Sequence, residues 1–281
     1  MNDLRDNLYG AGLSQLADSV GGGKPSLRPF FCRIGSKRDL ADKIIRLIPK
    51  GMKTYVEPFI GGGAVLWKKE PHPVEVINDL DKSLVRDYKL LKSTKARDFP
   101  QDLDTLPEIQ KFYDTSPRGE ANQLAHAIVN RCNKWMGKEF SDKIYNDSNP
   151  YNKLKKIEAY QERLKDVRIV NNSYEKVIHK YDADDTFFYC DPPYEPKGTQ
   201  GKIYKHGEFD QSKLRNELAA IDGKFLLSIN DSRNIRELYK GFYYIAFTLA
   251  PKSHSTGPGS IGGHPRKELF IANYPISKRK L

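Results

Sequence analysis

From Thr54 onward the sequence alternates between short β-favouring runs and helical patterns, which constrains the fold more than any other feature. TYVEPF (54–59) and VEVIND (74–79) read as strands, separated by a GGG turn and by AVLWKK, the expected start of a helix. DKSLVRDYKLLK then places Leu84, Tyr88 and Leu91 on one helical face. RIVNN (168–172) and TFFYC (186–190) resume the strands, and DQSKLRNELAAI reads as a helix capped by Asp210, with Leu214, Leu218 and Ile221 inward. KFLLSI, FYYIAFTL and ELFIANY are three more strands. Parallel neighbours need long crossovers, usually helical, so this order predicts a three-layer α/β fold around a mainly parallel sheet. The last two strands, joined by the Gly/Ser/Pro loop 250–265, predict a terminal β-hairpin.

Ahead of the alternation, GSKRDLADKIIRLIP predicts a helix with Ser36 as cap and Asp39 as its capping-box partner. Leu40, Ile44, Leu47 and Ile48 form its apolar face and Pro49 ends it. Residues 1–28 read as a loosely ordered tail. The rhythm breaks between about 95 and 165, where the chain is polar and rich in turn residues. The expected organisation is therefore an α/β domain over 29–94 and 166–281, carrying an inserted, mostly helical module over 95–165. Near the end of that module, KLKKIEAYQERLK reads as an amphipathic helix with Leu154, Ile157 and Leu164 inward.

A chain of 281 residues that is 38% hydrophobic and 30% charged can bury one large core with such an insertion. It has no apolar run approaching the roughly 20 residues of a membrane span. The N-terminal MNDLRDNLYG lacks the basic and apolar regions of a signal peptide. Cys32, Cys132 and Cys190 form no CxxC pair, which argues against a disulfide framework or a zinc site and for a reducing compartment. The formal charge of +11 suits either a polyanionic partner or a generally basic, well-solvated protein.

YVEPFIGGGAVLW has the strand, glycine turn and helix layout at which parallel sheets bind ligands. A phosphate-binding GxxxxGK[ST] is absent, and Leu66 stands where a dinucleotide fingerprint needs a glycine or alanine. Asp79, 16 residues beyond Gly63, ends the next strand, where an acid can accept hydrogen bonds from two ribose hydroxyls or cap a helix. A nucleoside-type ligand without a pyrophosphate fits this pattern. The second chemical feature is TFFYCDPPY (186–194). Proline cannot donate to a sheet ladder, so the strand must stop there, and its terminal carboxylate is costly to bury unless something binds it.

In order along the chain, GSK (35–37), EPFIGGG (57–63), IND (77–79) and CDPPY (190–194) resemble the S-adenosylmethionine-dependent DNA adenine-N6 methyltransferases of the Dam-like, D12 class, in their alpha arrangement. The resemblance covers roughly Pro29 to Pro275, with SIND (228–231) and PRKELFIANY (265–274) matching more loosely. It implies a Rossmann-like methyltransferase sheet with an inserted target-recognition module. It also implies S-adenosylmethionine as co-substrate, duplex DNA as partner and no metal. Asp191 and the Pro192 carbonyl would accept the two protons of an adenine N6 amine, Pro193 would stiffen the turn, and Tyr194 would stack on the extruded base. The donor would lie against Arg33, Gly35, Lys37, Glu57, Pro58, Phe59, Gly61, Gly63, Asp79 and Asp191. Arg33 departs from the aromatic residue that relatives often carry four positions before the lysine, so Phe30 or Phe31 could supply that ring instead.

In the insertion, Asn130, Arg131, Lys134, Trp135 and Lys138 interleave cations, an amide and an aromatic ring, a set suited to phosphates, base edges and the gap left by a flipped base. Arg266 joins them as a DNA-contacting expectation. Ser173 reads as a helix cap and Cys190 as a small buried residue. The resemblance implies an intracellular enzyme of a microbial, phage or viral host, acting as a monomer, with a dimer left open. Three alternatives stay open: cytosine N4 as target, RNA as substrate, and a catalytically inactive DNA-binding partner subunit.

Overall fold

The computed structural model describes residues 27–31, 35–99, 106–136, 154, 156–194, 209–249 and 265–280. Seven strands form one sheet in the order β3-β2-β1-β4-β5-β7-β6. They are β1 (Thr54–Glu57), β2 (Val74–Asn78), β3 (Val167–Val170), β4 (Thr186–Cys190), β5 (Lys224–Asn230), β6 (Tyr243–Leu249) and β7 (Arg266–Ala272). β1 to β5 run parallel, while β7 lies antiparallel between β5 and β6. The expected α/β sheet and its closing hairpin are both present. β4 sits at the centre of the order and is buried along its whole length.

Side chains alternate between the two faces. On one face, Tyr55, Phe187, Tyr189, Leu226 and Phe270 pack under α1 (Ala41–Leu47). On the other, Val56, Phe188, Cys190, Phe225 and Leu227 join one cluster with residues of α6 (Tyr174–Tyr181), α7 (Gln211–Ala220) and α8 (Arg233–Leu238). Buried side chains of α2 (Lys82–Ser93) share a third cluster with α3 (Leu106–Thr115), α4 (Glu120–Met136) and α5 (Ile157–Leu164), the helices of the 95–165 segment. Leu154, Ile157 and Leu164 are buried in it, as their spacing predicts.

Capping explains where several helices begin. Asp81 accepts from the backbone N–H groups of Ser83 and Leu84 at the head of α2, and Asp210 accepts from Lys213 at the head of α7. The first helix starts differently. A 3₁₀ turn, Arg38–Leu40, leads into α1 with Lys37 at the cap position and no side-chain cap bond, so Ser36 and Asp39 do not form a capping box. Its amine is drawn elsewhere, as described below. AVLWKK also departs from expectation, for residues 64–69 form irregular turns rather than a helix. Trp67 N–H reaches Gly63 while Lys68 and Lys69 both reach Val65. Pro71 disfavours helical geometry at Glu70, and the segment is held by side-chain contacts instead.

The strongest of those contacts is a buried ionic cluster on the α1 face. Glu75 of β2 pairs with both Lys69 and Arg163 of α5, while Lys69 also donates to the Glu70 carbonyl and lies 4.0 Å from the Tyr55 ring centroid. Against the upward push of burial, Arg163 and Lys69 hold the Glu75 carboxyl below the usual carboxylate range. Burial lowers Lys69 to about 8 despite Glu75 beside it. The cluster thereby joins the segment after the glycine turn, β2 and the returning helix of the 95–165 segment. Removing one partner from a buried pair strands the other charge, so Arg163→Leu should cost about 3–5 kcal/mol in urea unfolding. A loss below about 1 kcal/mol, the range of a surface pair, would contradict a structural role for the cluster.

Candidate functional site

The carboxyl ends of β1, β4, β5 and the facing part of β7 carry a row of polar side chains on the α1 face. Glu57 ends β1, Asp191 follows β4, Ser228 and Asn230 lie near the end of β5, and Glu268 lies opposite Asn230 on β7. Asp191 is the centre of the row. Its Oδ1 takes the Lys37 ammonium at 2.7 Å and the Ser228 hydroxyl at 3.1 Å, and that hydroxyl also lies 3.0 Å from the Tyr189 phenol. Oδ2 takes no bond from the described residues. Burial pushes the Asp191 carboxyl up, while the Lys37 ammonium and the Ser228 hydroxyl pull it down.

Lys37 is buried, and its ammonium meets three groups. It donates to the Gly35 carbonyl at 3.1 Å, pairs with Asp191, and stands 4.6 Å from the centroid of the Tyr194 ring. Tyr194 in turn donates to Glu268 Oε2 at 2.6 Å, which fixes the orientation of its ring. The Pro-Pro turn is held from its other side, where Gln211 at the start of α7 donates to the Pro193 carbonyl at 2.8 Å. A small cleft lined by Lys37, Arg266 and Glu268 opens beside this group.

The glycine turn lies one strand away. Gly61 has φ +48°, and a Cβ added there would meet nothing within 4 Å, so its backbone borders open space. Gly63 has φ +67°, and there a Cβ would also press on the Tyr88 hydroxyl at 2.9 Å and on Trp67 at 3.1 Å. Tyr88 and Trp67 use their polar atoms on the carbonyls of Gly61 and Gly62, so the turn is fixed from beneath. From above, Asp79 accepts the Gly61 N–H on Oδ2 and the Asp81 N–H on Oδ1. Leu80, the next residue, is 54% exposed, an unusual setting for a leucine beside an open turn. Phe59, half-buried, meets Tyr174 and Phe209 with centroids at 5.3 and 5.6 Å.

Pro58 is buried, and its carbonyl accepts from Asn78 at 2.9 Å. Glu57 is buried too, with the Tyr55 hydroxyl 2.6 Å from Oε1. Burial raises its carboxyl to about 8, with the nearby Asp191 adding to the rise and Tyr55 and Lys69 opposing it. Thus Lys37, Asp191 and Tyr194 meet directly, while Gly61, Gly63 and Asp79 form a separate, adjoining corner.

Arg131 lies on α4 but its guanidinium turns inward. It pairs through Nε and Nη2 with Asp87 of α2, stands 5.5 Å from the Phe31 ring centroid, and is 12% exposed. Arg266 is exposed at the start of β7. Arg33, Lys138 and the side chains of Asn130, Lys134 and Trp135 lie outside the described residues. Sequence reading singled out neither Ser228, Gln211 nor Glu268. Ser228 and Glu268 fall in motifs matched only loosely, and their proximity to Asp191 arises from pairing between distant strands.

Residues 34–136 and 119–250 match the family model described as D12 class N6 adenine-specific DNA methyltransferase. The chain is 30% identical over 282 residues to the Type II methyltransferase M1.LlaDCHI of Lactococcus lactis subsp. cremoris, covering 89% of this chain and 97% of that relative. It is 26% identical to the Type II methyltransferase M.MjaIII of Methanocaldococcus jannaschii, over 77% of this chain and 89% of the other. To a DNA adenine methylase of Vibrio cholerae it is 24% identical, over 76% and 85% respectively.

The buried Glu57 gives a stability prediction. Its native carboxyl holds a proton up to about 8, whereas the ordinary value is 4.5, so between these pH values the native state binds more protons than the unfolded chain. Stability must therefore fall as pH rises through that window. Glu57→Gln should flatten the decline between pH 5 and pH 8 by on the order of 4 kcal/mol in urea unfolding. Identical pH dependence in the two proteins would contradict the assignment.

Proposed function

Since the chain belongs to the D12 class of N6 adenine-specific DNA methyltransferases, we propose that its Asp191–Tyr194 turn holds the target amine while the glycine corner holds the methyl donor. The activity is methylation of DNA adenine at N6, with S-adenosylmethionine as co-substrate. The observation that carries the placement is the Asp191 carboxylate, fixed through Oδ1 by Lys37 and Ser228 on a turn that Gln211 braces. The donor supplies an electrophilic methyl group on a sulfonium: its S–C bond breaks as the N–C bond forms, leaving a neutral thioether.

This chain's residues fit both parts. Gly61 presents backbone to open space, and each oxygen of Asp79 accepts a single N–H among the described residues, which leaves lone pairs for ribose hydroxyls. The exposed Leu80 offers an apolar surface to a planar base. Asp191 Oδ2 and the Pro192 carbonyl accept the two N6 protons, which draws the nitrogen lone pair out of conjugation. Once the new bond has formed, the amine carries a surplus proton, and Asp191 is the acceptor in reach. Burial raises the Asp191 carboxyl and Lys37 opposes that rise, while Glu268 fixes the Tyr194 ring for stacking. Positioning and fixed charge, rather than a covalent step, then supply the rate. The surplus of basic residues serves the phosphates of duplex DNA, on which we take the protein to act as a monomer, with Arg266 at the mouth of the cleft. Arg131 anchors α4 on α2, so its contribution to DNA contact is indirect.

Asp191→Ala should lower kcat at least about 100-fold, while DNA affinity, carried by phosphate contacts, is largely kept. Full turnover by that variant would sink the mechanism. The pH dependence gives a second check. Asp191 accepts only when ionised, and Lys37 lowers its pKa, so Lys37→Met should move the acid limb of kcat to higher pH at saturating donor. An unmoved or lowered limb would show that Lys37 does not govern the charge on Asp191.

A further inference from the structure

Asn230 is a buried amide that the mechanism above leaves unused. It is 8% exposed, yet neither its nitrogen nor its oxygen has a hydrogen-bond partner among the described residues. A buried amide in that state is costly, and native proteins rarely keep one without a reason. Its position supplies the reason. Ser228 precedes it by two residues on β5, so both side chains share the α1 face, and the Ser228 hydroxyl is bonded to Asp191. Across the ladder Asn230 is paired with Glu268, the acceptor of the Tyr194 phenol. The amide thus shares a corner with the carboxylate and with the ring assigned to the base.

Strand order tells which ligand that corner faces. The glycine turn and Asp79 follow β1 and β2, on one side of β4, whereas β5 and β7 lie on the other. The donor occupies the first side, which leaves Asn230 to the acceptor. Building on the placement of the amine at Asp191, we propose that Asn230 identifies the extruded base by donating its amide N–H to the ring nitrogen next to the exocyclic amine. The chemistry discriminates against thymine and guanine but not against cytosine, whose amine and N3 present the same pattern as the amine and N1 of adenine. Thymine and guanine carry an oxygen in place of the amine and a protonated ring nitrogen beside it. The oxygen would face the Asp191 carboxylate and the ring N–H would face a donor, and repulsive pairs of this kind reject the wrong partner.

The test is a double-mutant cycle between the protein and the base. Duplexes carrying adenine, 1-deazaadenine or 7-deazaadenine at the methylated position are assayed with the wild type, Asn230→Leu and Asn230→Ala. Asp191→Ala is run alongside to test separately where the amine sits. Both Asn230 variants should lose about 10- to 100-fold in kcat/KM on adenine, with affinity for S-adenosylmethionine unchanged. 1-Deazaadenine should cost the wild type a similar factor and cost the variants nothing more, whereas 7-deazaadenine should affect wild type and variants alike. Three results would overturn the assignment. 1-Deazaadenine could penalise the variants as much as the wild type, the loss could lie in donor affinity, or only the leucine variant could be impaired. Activity in Asp191→Ala would refute the amine placement instead, whatever the cycle shows.

Discussion

A carboxylate at the end of the central strand is the constraint to which the rest of this site answers. Asp191 leaves a strand buried along its whole length, at a point where two prolines forbid further pairing. Burying such a charge unaided is prohibitive, so it needs a cation and a donor within reach. Lys37 and Ser228 supply them, one from the loop before α1 and one from the neighbouring strand. Both fall on the same oxygen. This arrangement stabilises the charge without consuming the whole carboxylate, and the acceptor that chemistry needs stays available.

Electrostatics along the strand ends extends the same logic. Glu57, Asp191 and Glu268 share one sheet face, with Lys37 next to Asp191 and Lys69 close enough to act on Glu57. The cluster relieves its surplus of acids in different ways. Glu57 is raised to about 8 and so carries a proton at neutral pH, Glu268 takes the Tyr194 proton in a hydrogen bond, and Asp191 is held by a full ion pair. The glycine corner is built by packing instead, with Tyr88 and Trp67 beneath and Asp79 above.

Local features were legible wherever one short segment determines the outcome. TFFYC is a strand at the predicted residues, and Asp210 caps its helix as its spacing indicates. The glycine turn stands between β1 and β2, and the final two strands pair as a hairpin. What escaped the sequence depends on distant partners. Ser36 has the chemistry of a cap, but Lys37 takes the cap position and its amine is drawn to Asp191. AVLWKK has helical propensity, yet Pro71 and the Glu75–Arg163 cluster impose irregular turns. Arg131 reads as a surface cation until α2 brings Asp87 beneath it. Ser228 and Glu268 become part of the site only through pairing across β4, β5 and β7.

The most direct measurement is transfer of a radiolabelled methyl group from S-adenosylmethionine to unmethylated genomic DNA, followed by digestion to nucleosides. Label confined to N6-methyldeoxyadenosine is the expected result for a member of this family whose Asp191 turn, as proposed, accepts an exocyclic adenine amine. Label in N4-methyldeoxycytidine, or none at all from a protein that binds the donor, would contradict the account.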